Sequence, residues 1–303
     1  MIFSAFQGFC MALADSVPGV SGGTIAFILG FYEDFLTALH DLFGRNRARR
    51  WSAFCYLARI GVGWCAGMIL SILVISRALD ENIHFLSSLF LGLTAASIPL
   101  ILISEWQVLK GKRGSLIFAL LGVGLVYGTT AIREVLDVGG AIRMLELAPL
   151  EMLQLFVSGA LAISAMALPG ISGSTLMLIL GVYAPVVHAL EQVFRLNLAY
   201  LPGLICFGIG VLCGIAISVR YIRLLLRRHR AQMMYLILGL MIGSLYAIVM
   251  GPTTLEVPQT PLDFANFRWS GFVIGIVILF WLEFLRRLMH RRRLRSRLDA
   301  STE

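Results

Sequence analysis

The sequence predicts an all-α, polytopic membrane protein built as an inverted repeat, each half holding one re-entrant helical hairpin and three transmembrane helices. Three observations predict it. The 303-residue chain is 58% hydrophobic and 14% charged, with a mean hydropathy of +0.86, whereas soluble domains carry about 25% charged residues. Apolar runs of roughly 18 or more residues recur, each long enough to cross a bilayer. One tract also occurs twice. Pro18-Gly-Val-Ser-Gly-Gly-Thr24 returns 151 residues later as Pro169-Gly-Ile-Ser-Gly-Ser-Thr175, and the likeness over 18–32 and 169–183 covers nine identical positions of fifteen.

The elements follow in chain order. Region 1–43 is apolar but broken by the first Pro/Gly tract. Proline inside a helix removes a hydrogen bond and clashes with the preceding turn, so two short helices around a break are expected. The stretch does not read as a cleavable signal, because nothing basic precedes it and Asp15 interrupts it. Full spans follow at 53–77, 85–104 and 115–131, closing a first repeat over 1–131. An outer connecting loop, 132–151, leads to the second repeat, 152–285. That repeat has a broken hairpin at 152–190 and spans at 199–219, 233–250 and 270–285, with a basic tail at 286–303.

Charge sets the topology. The net charge is +8, and 19 of the 25 Lys/Arg fall in four places: 45–50, 110–113, 220–230 and 286–297. Clusters beside apolar spans mark the cytoplasmic face rather than a nucleic-acid surface. With 45–50 inside, span 53–77 exits at Asp80-Glu81, and span 85–104 returns to 110–113. Span 115–131 then exits to a loop carrying Glu134, Asp137, Glu146 and Glu151. The cluster at 220–230 is inside only if 152–190 enters and leaves on the outer side. Span 233–250 exits to Glu256 and Asp263, and span 270–285 brings the tail inside. The first hairpin is therefore expected to enter from inside and the second from outside. Arms of about 12–17 residues favour re-entry over full crossings. N- and C-termini are expected in the cytoplasm.

A second echo supports the repeat. Gly61, Gly63, Gly67 and Ser71 match Gly208, Gly210, Gly214 and Ser218 at an offset of 147, as do Leu91-Gly-Leu93 and Ser97 with Leu238-Gly-Leu240 and Ser244. Three spans per half is an odd number, so the second half is inverted. That is the plan of secondary transporters, with sites at the repeat interface near the midplane. The glycines at 63 and 67, and at 210 and 214, allow close helix contact and are expected to hold the repeats together.

The doubled tract carries the chemistry. The first N–H groups of a helix have no internal partner, and glycines let a ligand approach the backbone. Phosphate is a common occupant of such a terminus. The candidate phosphate-binding set is Gly19, Ser21, Gly22, Gly23 and Thr24 in the first copy, and Gly170, Ser172, Gly173, Ser174 and Thr175 in the second. The alternative is that the Ser and Thr hydroxyls only cap freed backbone groups. Arg59, nine residues past Arg50, can neutralise a phosphate from within the membrane or snorkel to the inner headgroups. Asp15, three residues before Pro18, can pair with Arg59, bind a coupling H+ or Na+, or cap the break. Its counterpart in the second half is Met166, so this charge is asymmetric. Arg77, Arg133 and Arg195 lie near the outer face, while Glu33, Asp34 and Glu191 are interfacial.

Other chemistries are disfavoured. Gly19-Val-Ser-Gly-Gly23 fits the hydrolase elbow G-x-S-x-G, but the elbow needs a strand-to-helix turn and a His partner, and the second copy breaks the pattern. The five cysteines (Cys10, Cys55, Cys65, Cys206, Cys213) all sit in apolar segments and read as small packing residues. No carboxylate or His cluster suggests a metal, and no cofactor is expected.

Asp15-Ser-Val-Pro-Gly-Val-Ser-Gly-Gly-Thr24 and Leu168-Pro-Gly-Ile-Ser-Gly-Ser-Thr175 resemble the bacterial polyprenyl-phosphate transporter family, formerly a domain of unknown function, and the resemblance covers nearly the whole chain. It implies recycling of undecaprenyl phosphate from the outer to the cytoplasmic leaflet of the bacterial inner membrane, for peptidoglycan and other envelope glycans. The expected partners are a polyprenyl phosphate, the surrounding lipids and a coupling H+ or Na+. It carries over no catalytic residues, so the site residues rest on the physical reading alone. Two other readings use the same residues: an exchanger for a small soluble anion or ion, and an intramembrane lipid phosphatase, for which the sequence offers only Asp15 and hydroxyls.

Overall fold

The computed structural model describes residues 2–15, 21–71, 76–135, 144, 147–254 and 259–284. These residues are helical apart from short connections. The first half holds α1 (Ile2–Asp15), α2 (Gly22–Ile28), α3 (Tyr32–Leu42), α4 (Arg47–Leu70), α5 (Ser76–Ser104), α6 (Trp106–Leu109) and α7 (Leu116–Val135). The second holds α8 (Pro149–Met166), α9 (Gly173–Ile179), α10 (Tyr183–Phe194), α11 (Leu201–Arg228), α12 (Arg230–Met250) and α13 (Trp269–Phe284). Among the described residues five helices are long and apolar enough to cross a membrane, α4, α5, α8, α11 and α12, while α7 and α13 are shorter apolar helices.

Several boundaries differ from the sequence reading, for physical reasons. Each broken region forms three helices rather than two, because a second turn follows the motif helix. Gly30 (φ 70°) and Gly181 (φ 69°) take the left-handed conformation at that turn. The basic cluster at 47–50 lies inside the first turn of α4, where Asn46 caps the N–H groups of Ala48 and Arg49. Arg220, Arg223, Arg227 and Arg228 belong to the end of α11, not to a loop, which sets cations at a helix C-terminus. Asp80 and Glu81, expected in an outer loop, lie within α5. At 18 residues, α8 also exceeds the expected arm length.

Small residues set the packing. Gly8 sits on the Ile60 carbonyl, Gly63 on Ala5 and Gly67 on Phe9, joining α1 to α4. Gly159 sits on Phe207, Gly210 on Phe156 and Gly214 on Ala160, joining α8 to α11. These are the same three contacts, displaced by 151 along the hairpin helices and by 147 along the spans. A second set crosses between halves. Gly239 of α12 meets Ala119 of α7, and Gly92 of α5 meets Phe272 of α13. Gly122 of α7 meets Leu236 of α12, and Gly275 of α13 meets Leu89 of α5. The last apolar helix of each half is thus exchanged, α7 packing on α12 and α13 on α5. This corrects the expectation for Gly63, Gly67, Gly210 and Gly214, which join α1 to α4 and α8 to α11 within each half of the chain. The seam between halves belongs to Gly92, Gly122, Gly239 and Gly275. Close backbone approach suits a bilayer, where dispersion and not the hydrophobic effect holds helices together.

The core centres on α12. Met233, Met234, Ile237, Leu238, Met241 and Ile248 are buried there, and an all-round apolar helix belongs in the interior. One face collects the ends of α3, α5, α11 and α12. On it Arg230 forks onto Glu105 and also reaches Glu33, and Tyr235 donates to the Leu109 carbonyl. Asp41 meets Arg223 at 3.9 Å and lines a groove with Arg49, so the basic clusters at 45–50, 110–113 and 220–230 each have a member near this set of contacts. On the other, His84 lies 3.0 Å from the Thr260 carbonyl and the Arg268 N–H donates to Ser88.

Candidate functional site

Around the first tract, α1 is described as far as Asp15 and α2 opens at Gly22. Ser21 is extended (φ −125°, ψ 134°), and its hydroxyl accepts the Gly23 N–H at 3.2 Å. The Asp15 carboxylate divides its oxygens. Oδ1 accepts the Gly22 N–H at 2.7 Å, and Oδ2 accepts the indole N–H of Trp64 at 3.0 Å. Residue 22 must be glycine for this, since a Cβ there would stand 2.7 Å from Oδ2. The N–H groups that open α2 are thus met within the chain, and of the roles open to Asp15 the geometry displays the cap. Asp15 is held by Trp64 and not by Arg59.

The second copy crosses to the first. The Gly170 N–H donates to Thr24 Oγ1 at 2.8 Å, buried. The Tyr32 hydroxyl donates to the Ala167 carbonyl at 2.7 Å, and a Cβ on Gly23 would lie 2.9 Å from the Met166 carbonyl oxygen. Gly170 has φ +94°, and a Cβ there would press to 2.5 Å from the Leu240 carbonyl of α12. Only glycine meets both demands. The two tracts, 146 residues apart at this bond, therefore meet in the interior.

Their exposure differs. Ser21, Gly22, Gly23 and Thr24 are buried, whereas Ser172 and Thr175 are half-buried and Ser174 is exposed. Ser172 and Ser174 share a 2.8 Å hydrogen bond. Gly170, Ser172 and Thr175 line a narrow crevice with Thr129 and Thr130 of α7 and Ala247 of α12. Each of those two threonines donates to the Val126 carbonyl at 2.9 Å, leaving its oxygen lone pairs toward further donors. Each motif helix has only seven residues, so hydroxyls and backbone N–H groups, more than a long-helix dipole, define this surface.

The remaining candidates lie elsewhere. Arg59 is exposed on α4 and makes no ion pair with a described residue. Five residues before Trp64, it stands about 7.5 Å along the helix toward the basic face. Arg195 pairs with Glu191 at 2.6 Å on the surface. Gly19 and the side chains of Arg77 and Arg133 lie outside the described residues. Among the described residues no group of three or more His, Cys, Asp or Glu is placed to hold a metal ion. The sequence reading missed Trp64, Tyr32, Thr129 and Thr130. Only the Thr-Thr pair late in an apolar span is a visible signal. Nothing local marks Trp64 or Tyr32, because their partners are 49 and 135 residues away.

Comparison with known proteins adds independent evidence. A family model described as VCA0040-like, undecaprenyl phosphate translocase-like, matches residues 11–263. A polyprenyl-phosphate transporter of Staphylococcus aureus (strain NCTC 8325 / PS 47) is 35% identical over 279 residues, covering 90% of this chain and 92% of the relative. A polyprenyl-phosphate transporter of Vibrio cholerae serotype O1 (strain ATCC 39315 / El Tor Inaba N16961) is 32% identical over 254 residues, covering 79% and 74%. No solved structure matches.

Proposed function

The chain belongs to the undecaprenyl phosphate translocase-like family, and on that premise we propose that it carries undecaprenyl phosphate from the outer to the cytoplasmic leaflet of the bacterial inner membrane, for reuse in peptidoglycan and envelope glycan synthesis. It is a transporter and not an enzyme. The observation that carries the reading is the buried contact between the two tracts, Gly170 N–H to Thr24, beside a narrow crevice lined by Ser172, Thr175, Thr129 and Thr130. A long isoprenoid tail stays in lipid, so only the phosphate needs a polar path. Ser172, Ser174 and Thr175, with the backbone of Gly173, supply donors to it, and the Gly170 N–H joins them only when its bond to Thr24 opens. Ser21, Gly22, Gly23 and Thr24, with Gly19, join when the first hairpin opens. Arg59 lies on the approach, supplying positive charge between the basic face and the motif.

The architecture suits this role. We read the halves as inverted, each with a re-entrant hairpin and three spans, sharing one site at their interface. Over the described residues α1 rises about 21 Å, short of the ~30 Å hydrocarbon core. The 18 residues of α8 rise about 27 Å and suffice to cross, so helix length supports re-entry for the first hairpin alone. The face gathering 45–50, 110–113 and 220–230 is cytoplasmic by the positive-inside rule, and both termini lie there. Transport then follows from rocking of one half against the other, coupled to a proton or sodium gradient.

The test is leaflet exchange of labelled polyprenyl phosphate in reconstituted liposomes. Exchange no faster than in empty vesicles, under any ion gradient, would sink the reading. Exchange of inorganic phosphate instead would favour a soluble-anion carrier, and phosphate release would favour a phosphatase. Within the assay, Ser172→Ala combined with Ser174→Ala is expected to slow exchange about tenfold or more, the loss of roughly one charge-assisted hydrogen bond. Arg59→Ala is expected to slow exchange more than Arg77→Ala. Equal rates for those two variants would remove Arg59 from the path.

A further inference from the structure

Equivalent faces of the two hairpins are buried unequally. On α3, Tyr32 and Leu36 are 2% and 0% exposed, whereas their counterparts 151 residues on, Tyr183 and Val187 of α10, are 38% and 47% exposed. Leu39 is half-buried and its counterpart Leu190 is exposed. Positions i, i+4 and i+7 form one helix face, so the same face is docked in one half and open in the other. The docked helix crosses between halves. Leu36 shares a buried cluster with Val219, Ile222 and Leu226 of α11, and α3 packs along α11, while α10 makes no comparable contact with α4 among the described residues.

Ions tie α3 down at two points eight residues apart. Glu33 meets Arg230 at 3.0 Å, and Arg230 also forks onto Glu105 at 2.8 and 3.1 Å. Asp41 meets Arg223 at 3.9 Å. The repeat-equivalent positions are Ala184, Ile83 and Pro252 for the first cluster, and Gln192 and Ser76 for the second. None of these can ionise, so the strap exists on one face only. A cavity of about 550 Å³ runs beside it, lined by Phe27, Tyr32, Glu33 and Glu105, and leaves α3 room to move.

We infer that this two-point ionic strap holds the protein in one of two related states. In the other state, α3 lifts from α11 and α10 docks Tyr183, Val187 and Leu190 against α4 in the first half. The inference rests on the transport reading for its purpose, since alternating exposure of one site requires two such states. The Arg230 fork onto Glu105 lies off α3 and need not break. Of the two links to α3, Glu33 with Arg230 is an exposed pair and Asp41 with Arg223 is a long 3.9 Å contact. Such single contacts are individually weak. That suits a strap that must break in each cycle, because both states then stay populated.

The test uses Val187→Cys in the full chain with its five native cysteines replaced, labelled with N-ethylmaleimide in lipid vesicles. Adding Glu33→Gln and Asp41→Asn is expected to slow labelling at least about fivefold as α10 docks. Unchanged or faster labelling would overturn the inference, including the case where the open face of α10 is covered only by acyl chains. A second measurement needs no substitution. Raising NaCl to about 1 M, where the Debye length is ~3 Å, should slow amide exchange in 183–194 and speed it in 32–42; no change in either segment counts against the strap. Neither readout uses substrate. Failure of lipid exchange with an intact labelling shift would discard the transport reading and keep the strap.

Discussion

Gly63→Ala and Gly210→Ala are expected to loosen one helix pair each, while Gly61→Ala and Gly208→Ala are expected to leave the protein as stable as before. All four glycines lie in long apolar helices, and the pairs correspond at an offset of 147. Their surroundings differ completely. A Cβ on Gly63 would overlap the Ala5 carbonyl, and one on Gly210 the Phe156 carbonyl, whereas nothing lies within 4 Å of a Cβ on Gly61 or Gly208. The obstruction is backbone, which cannot rotate aside. The cost is on the order of 1–3 kcal/mol or more per site, as for overpacking a filled core, and bilayer helices have no hydrophobic drive to offset it. At the open positions alanine even gains helix propensity, by up to about 1 kcal/mol. Thermal unfolding in detergent, followed by the loss of monodisperse protein, compares the four. Equal midpoints would show that the helix pairs do not approach as closely as described.

Asp15→Ala is expected to cause the second large loss. It strands the Gly22 N–H and the Trp64 indole N–H, each now bonded to one carboxylate oxygen at 2.7 and 3.0 Å. An unmet buried donor costs roughly 1–3 kcal/mol, so the pair amounts to about 2–6 kcal/mol. Asparagine keeps one acceptor oxygen but turns its amide toward the other donor. Asp15→Asn should therefore fall between alanine and the parent, and Trp64→Phe should lose less than Asp15→Ala. Stability and lipid exchange should decline in the same order. If Asp15→Asn were as stable as the parent yet had lost all dependence on an ion gradient, Asp15 would be a coupling carboxylate and the clasp would be secondary.

Much of this was legible because the repeat is local information. The doubled tract, the two offsets and the basic clusters are read along the chain. The offsets reappear as paired contacts such as Gly8 on Ile60 and Gly159 on Phe207. Helix ends were less legible. Arg47 and Arg228 look like loop residues by hydropathy, yet they extend α4 and α11, because a helix passes through the headgroup region without changing its hydrogen bonding. The glycine lines were read correctly as packing surfaces but assigned to the wrong neighbours. Spacing shows that a face is smooth and does not show which helix lies on it.

The site divides in the same way. Composition and periodicity determined a helical, membrane-embedded chain with two Pro/Gly breaks, since apolar runs and helix breakers act over a few residues. Only the tertiary structure decided that Thr24 accepts from Gly170, that Trp64 rather than Arg59 holds Asp15, and that the first copy is closed while the second is open. Those outcomes depend on contacts between residues far apart in the chain, 146 positions for Gly170 and Thr24 and 49 for Trp64 and Asp15, which no local pattern specifies. The ion pairs of Glu33 with Arg230 and of Asp41 with Arg223 are of the same kind, joining residues nearly two hundred positions apart.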